Sequence, residues 1–161
     1  MKIAVIYYSF EGNTQYIAEA LAAELGADIA RLQTPDEPRT KGFGKYLWFG
    51  WQHLLGRKPR VSPVQLELSS YDLVIPGGPV WNANYAPPVH QFVRQQLPAG
   101  IAVAPFCCAG GGQGETFAQL AQWLPNRRLL DGLTLIGPVI GNAAARDQAF
   151  AWGHTLARHL A

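Results

Sequence analysis

Cysteine, methionine and charge are all scarce in this chain: its 161 residues include two cysteines, one methionine and only 15% charged side chains. The two cysteines, adjacent at Cys107 and Cys108, cannot build a disulfide framework, and no Cys/His set has the spacing of a metal site. No apolar run approaches the roughly 18 residues that cross a bilayer, which excludes stable membrane insertion. Low charge combined with 48% hydrophobic residues excludes both an intrinsically disordered chain and a charged coiled coil. The Gly-Lys-Ser/Thr signature of nucleoside triphosphatases and the three-glycine dinucleotide pattern are both missing. Met1 to Tyr8 carries a charge and an apolar run but no small-residue cleavage site, and so reads as a strand rather than a signal peptide. The expected location is the reducing cytoplasm.

What the chain does have is alternation. At about 150 residues per domain, residues 1–161 are expected to form one domain. Ile3 to Tyr8 is short, continuous and rich in β-branched and aromatic residues, as a strand buried on both faces would be. Ile17, Ala18, Leu21, Ala22 and Leu25 then fall on one helical face, with Gly26 placed to stop the helix. Ile29 to Leu32 completes a βαβ unit. Further strands are expected at Leu73 to Ile75, Ile101 to Phe106 and Leu133 to Ile140. The intervening helices carry Val89, Phe92 and Val93 after Pro87-Pro88, then Phe117, Leu120, Ala121 and Leu124, and finally Ala149, Trp152, Leu156 and Leu160. Five strands alternating with helices imply an α/β protein, a three-layer α/β/α sandwich around a parallel sheet.

The net charge of +2 conceals an asymmetry. Residues 31–60 hold Arg31, Arg39, Lys41, Lys45, Arg57, Lys58 and Arg60 against Asp36 and Glu37, a local +5, so the remainder carries −3. The net +2 is too small to argue for nucleic acid. Residues 35–65 interrupt the βα rhythm as a basic, aromatic insertion. Within it 41–56 reads as an amphipathic helix, with Phe43, Leu47, Trp51, Leu54 and Leu55 on one face. Three readings stay open: a core-packing helix, a lid with cations that attract an anionic partner, and surface association with anionic lipid through 41–58.

Function should reside where strands end, because ligands of open parallel sheets bind beyond the carboxyl ends at the switch point of strand order. Three loops meet that requirement. Ser9-Phe10-Glu11-Gly12-Asn13-Thr14 places hydroxyls, a turning glycine and exposed helix N–H groups together, as an anion site does; plain helix capping by Ser9 and Thr14 is the alternative. Gly77 to Pro88 carries Trp81 and Tyr85, whose flat faces suit a planar ring, unless Trp81 simply packs beneath its own loop. Cys107 to Glu115 contains Gly110-Gly111-Gly112, where backbone can approach a ligand edge closely. Cys107 and Cys108 themselves read as small buried residues ending a strand. His53, His90, His154 and His159 lie outside these loops and receive no catalytic role.

These motifs resemble the flavodoxin family. Residues 9–14 resemble its phosphate loop, Ser-x-Thr-Gly-Asn-Thr; Tyr71 to Trp81 resembles its third strand and flavin-stacking loop; Phe106 to Glu115 resembles the loop on the far side of the isoalloxazine. The resemblance covers nearly the whole chain and implies strand order 2-1-3-4-5 with bound FMN, the switch-point arrangement of doubly wound sheets. It implies a phosphate held by Ser9, Glu11, Gly12, Asn13 and Thr14 with Phe10 alongside. One side of the ring would then be lined by Pro79, Val80, Trp81, Asn82 and Ala83, and the other by Ala109, Gly110, Gly111, Gly112 and Glu115. Trp81 is the expected stacking residue. The implied function is electron transfer with a redox partner protein or a small donor or acceptor. An FMN-dependent NAD(P)H or quinone oxidoreductase, or a protoporphyrinogen oxidase of the same fold, is the alternative.

Three features depart from the family pattern. Glu11 replaces a Thr and brings a negative charge to the phosphate loop, so it should point outward or be neutralised by the basic segment. Ala83 stands where relatives often have Gly near the flavin N5, and a positive φ there costs a non-glycine residue roughly 1 kcal/mol or more. The balance between one- and two-electron chemistry is therefore open. The overall +2 also contrasts with the acidic character of well-studied members.

Overall fold

The computed structural model describes residues 1–35, 59–137 and 139–160. The expected helix over 41–56 lies outside the described residues. Strand β1 (Ile3–Tyr7) is wholly buried and leads into helix α1 (Asn13–Leu25), which stops at Gly26 in the left-handed conformation, φ 58°. Strand β2 (Asp28–Arg31) follows. Beyond the insertion come β3 (Leu73–Trp81), β4 (Asn84–Tyr85) and helix α2 (Pro87–Gln95), opened by its two prolines as expected. The chain continues through β5 (Ala102–Val103), β6 (Phe106–Ala109), α3 (Thr116–Trp123), β7 (Leu133–Ile136) and α4 (Ala143–Leu160).

The sheet runs β2-β1-β3-β6-β7, all parallel along this path. Strand β5 also lies parallel against β3, with Leu73 opposite Ala102 and Val74 opposite Val103, before Gly77 meets Phe106 at the start of β6. The expected fourth strand is thus one line beside β3, interrupted at Ala104-Pro105, where proline has no N–H to give the ladder. Counted as one line, the order is the expected 2-1-3-4-5.

Alternation along β1 separates the core into two halves. Ile3, Val5 and Tyr7 pack with Ile17 and Leu21 of α1 and Ala149 and Leu156 of α4 on one face. Ala4, Ile6 and Tyr8 pack with Val89, Phe92 and Val93 of α2 and Leu120 of α3 on the other. This is the three-layer sandwich. Cys107 and Cys108 point to opposite faces and are free thiols, as strand periodicity requires of neighbours. Among the described residues no helix is long and apolar enough to cross a membrane.

Several strand boundaries differ from the sequence reading, and Cys107 to Ala109, read as the start of the third loop, belong to β6. Gly77 to Trp81, read as loop because Gly and Pro usually punctuate structure, instead lengthen β3. Gly77 and Gly78 are glycines for packing: a β-carbon on Gly77 would stand 2.0 Å from Phe106 Cε1, and one on Gly78 2.5 Å from Val89 Cγ2. The last strand ends at Ile136 rather than Ile140, because Gly137 takes φ 83° and turns the chain.

Candidate functional site

A cleft of about 420 Å³ opens beyond the carboxyl ends of β1, β3, β6 and β7. Its walls are Ser9, Phe10, Glu11, Asn13 and Thr14 after β1; Pro79, Val80 and Trp81 at the end of β3; Cys108, Ala109 and Gly110 at the end of β6; and Gly137 after β7.

The first wall is a short loop closed on itself. Gly12, at φ 96°, is the residue preceding α1, and its N–H donates to Ser9 Oγ at 3.1 Å. The first helical bond runs from Tyr16 N–H to Gly12 O at 2.9 Å, so the N–H groups of Asn13, Thr14 and Gln15 precede any partner within the helix. No acid sits in the first turn of α1 to compete for them. Ser9 and Thr14 are buried while Glu11 is exposed at the rim, as its charge requires. The Asn13 side chain turns elsewhere. Its Oδ1 accepts from Val139 N–H at 3.0 Å and Ile140 N–H at 3.3 Å, tying the loop to the turn after β7.

The second wall is aromatic. Trp81 meets Tyr8 at 5.9 Å and Phe10 at 5.5 Å between ring centroids, both at 89°, edge to face. Two such contacts fix the indole while leaving it part of the cleft lining. Trp81 pairs with Asn84 and Val80 with Tyr85 across a two-residue turn, Asn82-Ala83, with φ 49° and 62°. Two positive φ values make the mirror-image turn that hairpins favour, so Ala83 does bear the strain expected of it.

The third wall is the end of β6. Gly110, Gly111 and Gly112 are exposed, and a β-carbon on any of them would meet nothing within 4 Å. The loop is pinned beyond them, where Thr134 Oγ1 donates to Gln113 Oε1 and Glu115 N–H donates to Ala83 O at 2.8 Å. Burial raises the Cys107 thiol to about 11 and the Cys108 thiol to about 12, with a Thr14 hydrogen bond opposing the shift at Cys108. Both stay protonated at neutral pH.

Of the residues read from the sequence, Ser9, Phe10, Glu11, Asn13, Thr14, Pro79, Val80, Trp81, Ala109 and Gly110 come together in the cleft. Gly12 shapes the first loop without lining it. Asn82, Ala83, Gly111, Gly112 and Glu115 lie outside the lining, in the exposed hairpin turn and the outer part of the glycine loop. Cys108 and Gly137 were not among the expected site residues. Gly137 closes the cleft at the end of β7, and its signal was the Gly-Pro pair after the last strand.

A family model described as flavodoxin matches residues 2–154. The chain belongs to the flavodoxin family. The flavodoxin fold is also what solved structures show. A Bacteroides eggerthii protein provisionally classed as a flavoprotein is 24% identical, with TM-score 0.79 and coverage of 97% of this chain and 98% of that one. A Lactobacillus acidophilus flavoprotein, solved in complex with FMN, is 20% identical with TM-score 0.71, covering 83% and 92%. An archaeal flavodoxin is 19% identical with TM-score 0.66, covering 99% of both chains. A search of curated proteins found no match. In this flavodoxin framework, the N-terminus of α1 after β1 and the end of β3 at Trp81 flank the switch-point edge that doubly wound folds use for ligands, with the glycine loop following the next strand, β6.

Proposed function

We propose that the cleft binds FMN and that the protein transfers electrons. The observation that carries this reading is the convergence on one cleft of helix N–H groups, a fixed indole and an uncrowded glycine backbone. The residues suit the group. The volume falls within the roughly 300–1,000 Å³ of small-molecule pockets. The donors at α1 match a terminal phosphate, and the space beside Gly110 accepts a ring edge without steric conflict. The FMN complex of the Lactobacillus acidophilus flavoprotein supports the assignment.

In this reading the amides of Asn13 and Thr14 hold the phosphate, while Trp81 and Val80 flank the ring opposite Ala109 and Gly110. Bound FMN supplies one- and two-electron redox chemistry that no side chain of the cleft provides. The chain's own work is to bind, orient and partly exclude water. Cys108, kept neutral by burial, offers no nucleophile at neutral pH. The electron donor or acceptor is a redox partner protein or a small molecule. Purified protein should be yellow with a flavin spectrum, or become so on adding FMN; a colourless protein that cannot be reconstituted contradicts the reading. Slow direct reduction by NADH or NADPH in stopped flow, accelerated by a reductase, is expected of a carrier, whereas rapid direct reduction makes the protein an oxidoreductase.

A further inference from the structure

The anion loop is held from behind by a cation. Arg31, the last residue of β2, donates from Nη2 to the carbonyl oxygen of Ser9 at 2.9 Å. Ser9 Oγ in turn accepts the Gly12 N–H at 3.1 Å. Both acceptors of Ser9 are thereby engaged at the point where the loop begins. This matters because a carbonyl oxygen carries partial negative charge, and one turned into an anion site would repel the anion that the neighbouring N–H groups attract. Engaging that oxygen removes one acceptor that would compete with the loop's N–H donors for the anion. Arg31 also brings a fixed positive charge to a loop whose own ionisable side chain is Glu11. Its field reaches the end of β1, where burial and then Glu19 raise the Tyr7 hydroxyl and Arg31 opposes them. Arg31 belongs to the basic stretch 31–60, so the charge asymmetry of the sequence touches the site at this residue.

We propose that Arg31 is the positioning residue for the terminal phosphate of the bound mononucleotide: it holds the Ser9 carbonyl away from the anion and offsets Glu11. The proposal rests on the reading of the cleft as an FMN site. It is specific to the phosphate, since the Arg31 contact is at Ser9 and not at the aromatic wall. Lysine can keep the charge but not the planar multi-donor geometry, so it should serve only in part.

The test uses the full chain stripped of flavin and titrated with FMN or with riboflavin, which has the same ring and no phosphate. In Arg31→Gln the Kd for FMN should rise roughly three- to tenfold, the scale of a partly exposed charged hydrogen bond, while the Kd for riboflavin stays within about twofold. Arg31→Lys should fall between wild type and Arg31→Gln for FMN. Equal weakening of both ligands, or an unchanged FMN Kd, overturns the proposal. If Arg31→Gln does not fold, Arg31→Lys decides by the same ratio of FMN to riboflavin affinities. A wild-type protein that binds neither flavin overturns the FMN reading itself. One that binds both flavins, with a ratio insensitive to Arg31, overturns only the assignment of Arg31.

Discussion

Ala83 and Gly114 are in direct backbone contact: a β-carbon on Gly114 would stand 2.5 Å from the Ala83 carbonyl oxygen, which accepts the Glu115 N–H at 2.8 Å. The hairpin turn and the glycine loop, read from the sequence as separate, are thus latched. Gly114 also sits at φ 53°. Gly114→Ala combines overpacking with left-handed strain and should cost about 1–3 kcal/mol in urea unfolding. It should also weaken FMN binding by displacing the loop. Ala83→Gly, which removes strain at φ 62°, should instead stabilise by about 1 kcal/mol. Opposite signs for the two substitutions are the expected result.

Glycines that look alike in the sequence should behave differently. Gly77→Ala drives a methyl to 2.0 Å from the Phe106 ring inside the central strand and should cost about 3 kcal/mol or more, the upper end of what overpacking costs. Gly111→Ala meets no atom and needs no positive φ, so the flavin-free protein should be unchanged or stabilised by about 0.4–1 kcal/mol through the unfolded chain. Paired urea melts of the two variants check this.

That contrast shows how far the sequence could be read. The strands, the helices, their order and the three converging loops follow from apolar periodicity and from Gly26, Pro87 and Pro88 at helix boundaries. Gly77 and Gly78 misled because glycine marks a turn in sequence, whereas here it makes room for side chains from β6 and α2. Those neighbours, Phe106 and Val89, are distant in the chain, and no local pattern announces them. The tie from Asn13 to Val139 and Ile140 is hidden for the same reason.

Asn13 reads as a ligand residue but acts through its side chain as a strut. Asn13→Ala leaves two amides without their acceptor and should cost about 1–3 kcal/mol. The loss should be visible in thermal melts of flavin-free protein, before any ligand is added.

Alkaline pH should destabilise the fold. Cys107 and Cys108 ionise near 9.0 in the unfolded chain but are raised by burial to about 11 and about 12, and Tyr85 is raised well above 10.0 in the same way. Between these values the folded state binds more protons than the unfolded state, so the contribution of these groups is full below about pH 9 and is lost as pH rises through about 9 to 12. Urea midpoints measured across that range should decline, and Cys107→Ala with Cys108→Ala should flatten part of the slope.

The contribution of Trp81 can be read separately from that of the phosphate loop. Trp81→Ala removes the indole held by Tyr8 and Phe10 and should weaken FMN and riboflavin alike, by the roughly 0.5–1.5 kcal/mol of an aromatic pair or more. Trp81→Phe should retain most of the affinity.

The central claim, an FMN site at the switch-point edge, is tested most directly by a fluorescence titration of flavin-free protein with FMN. Saturable quenching at one FMN per chain is expected, with tighter binding than riboflavin because the N-terminus of α1 recognises the phosphate. Absence of saturable FMN binding by the folded protein would contradict the claim.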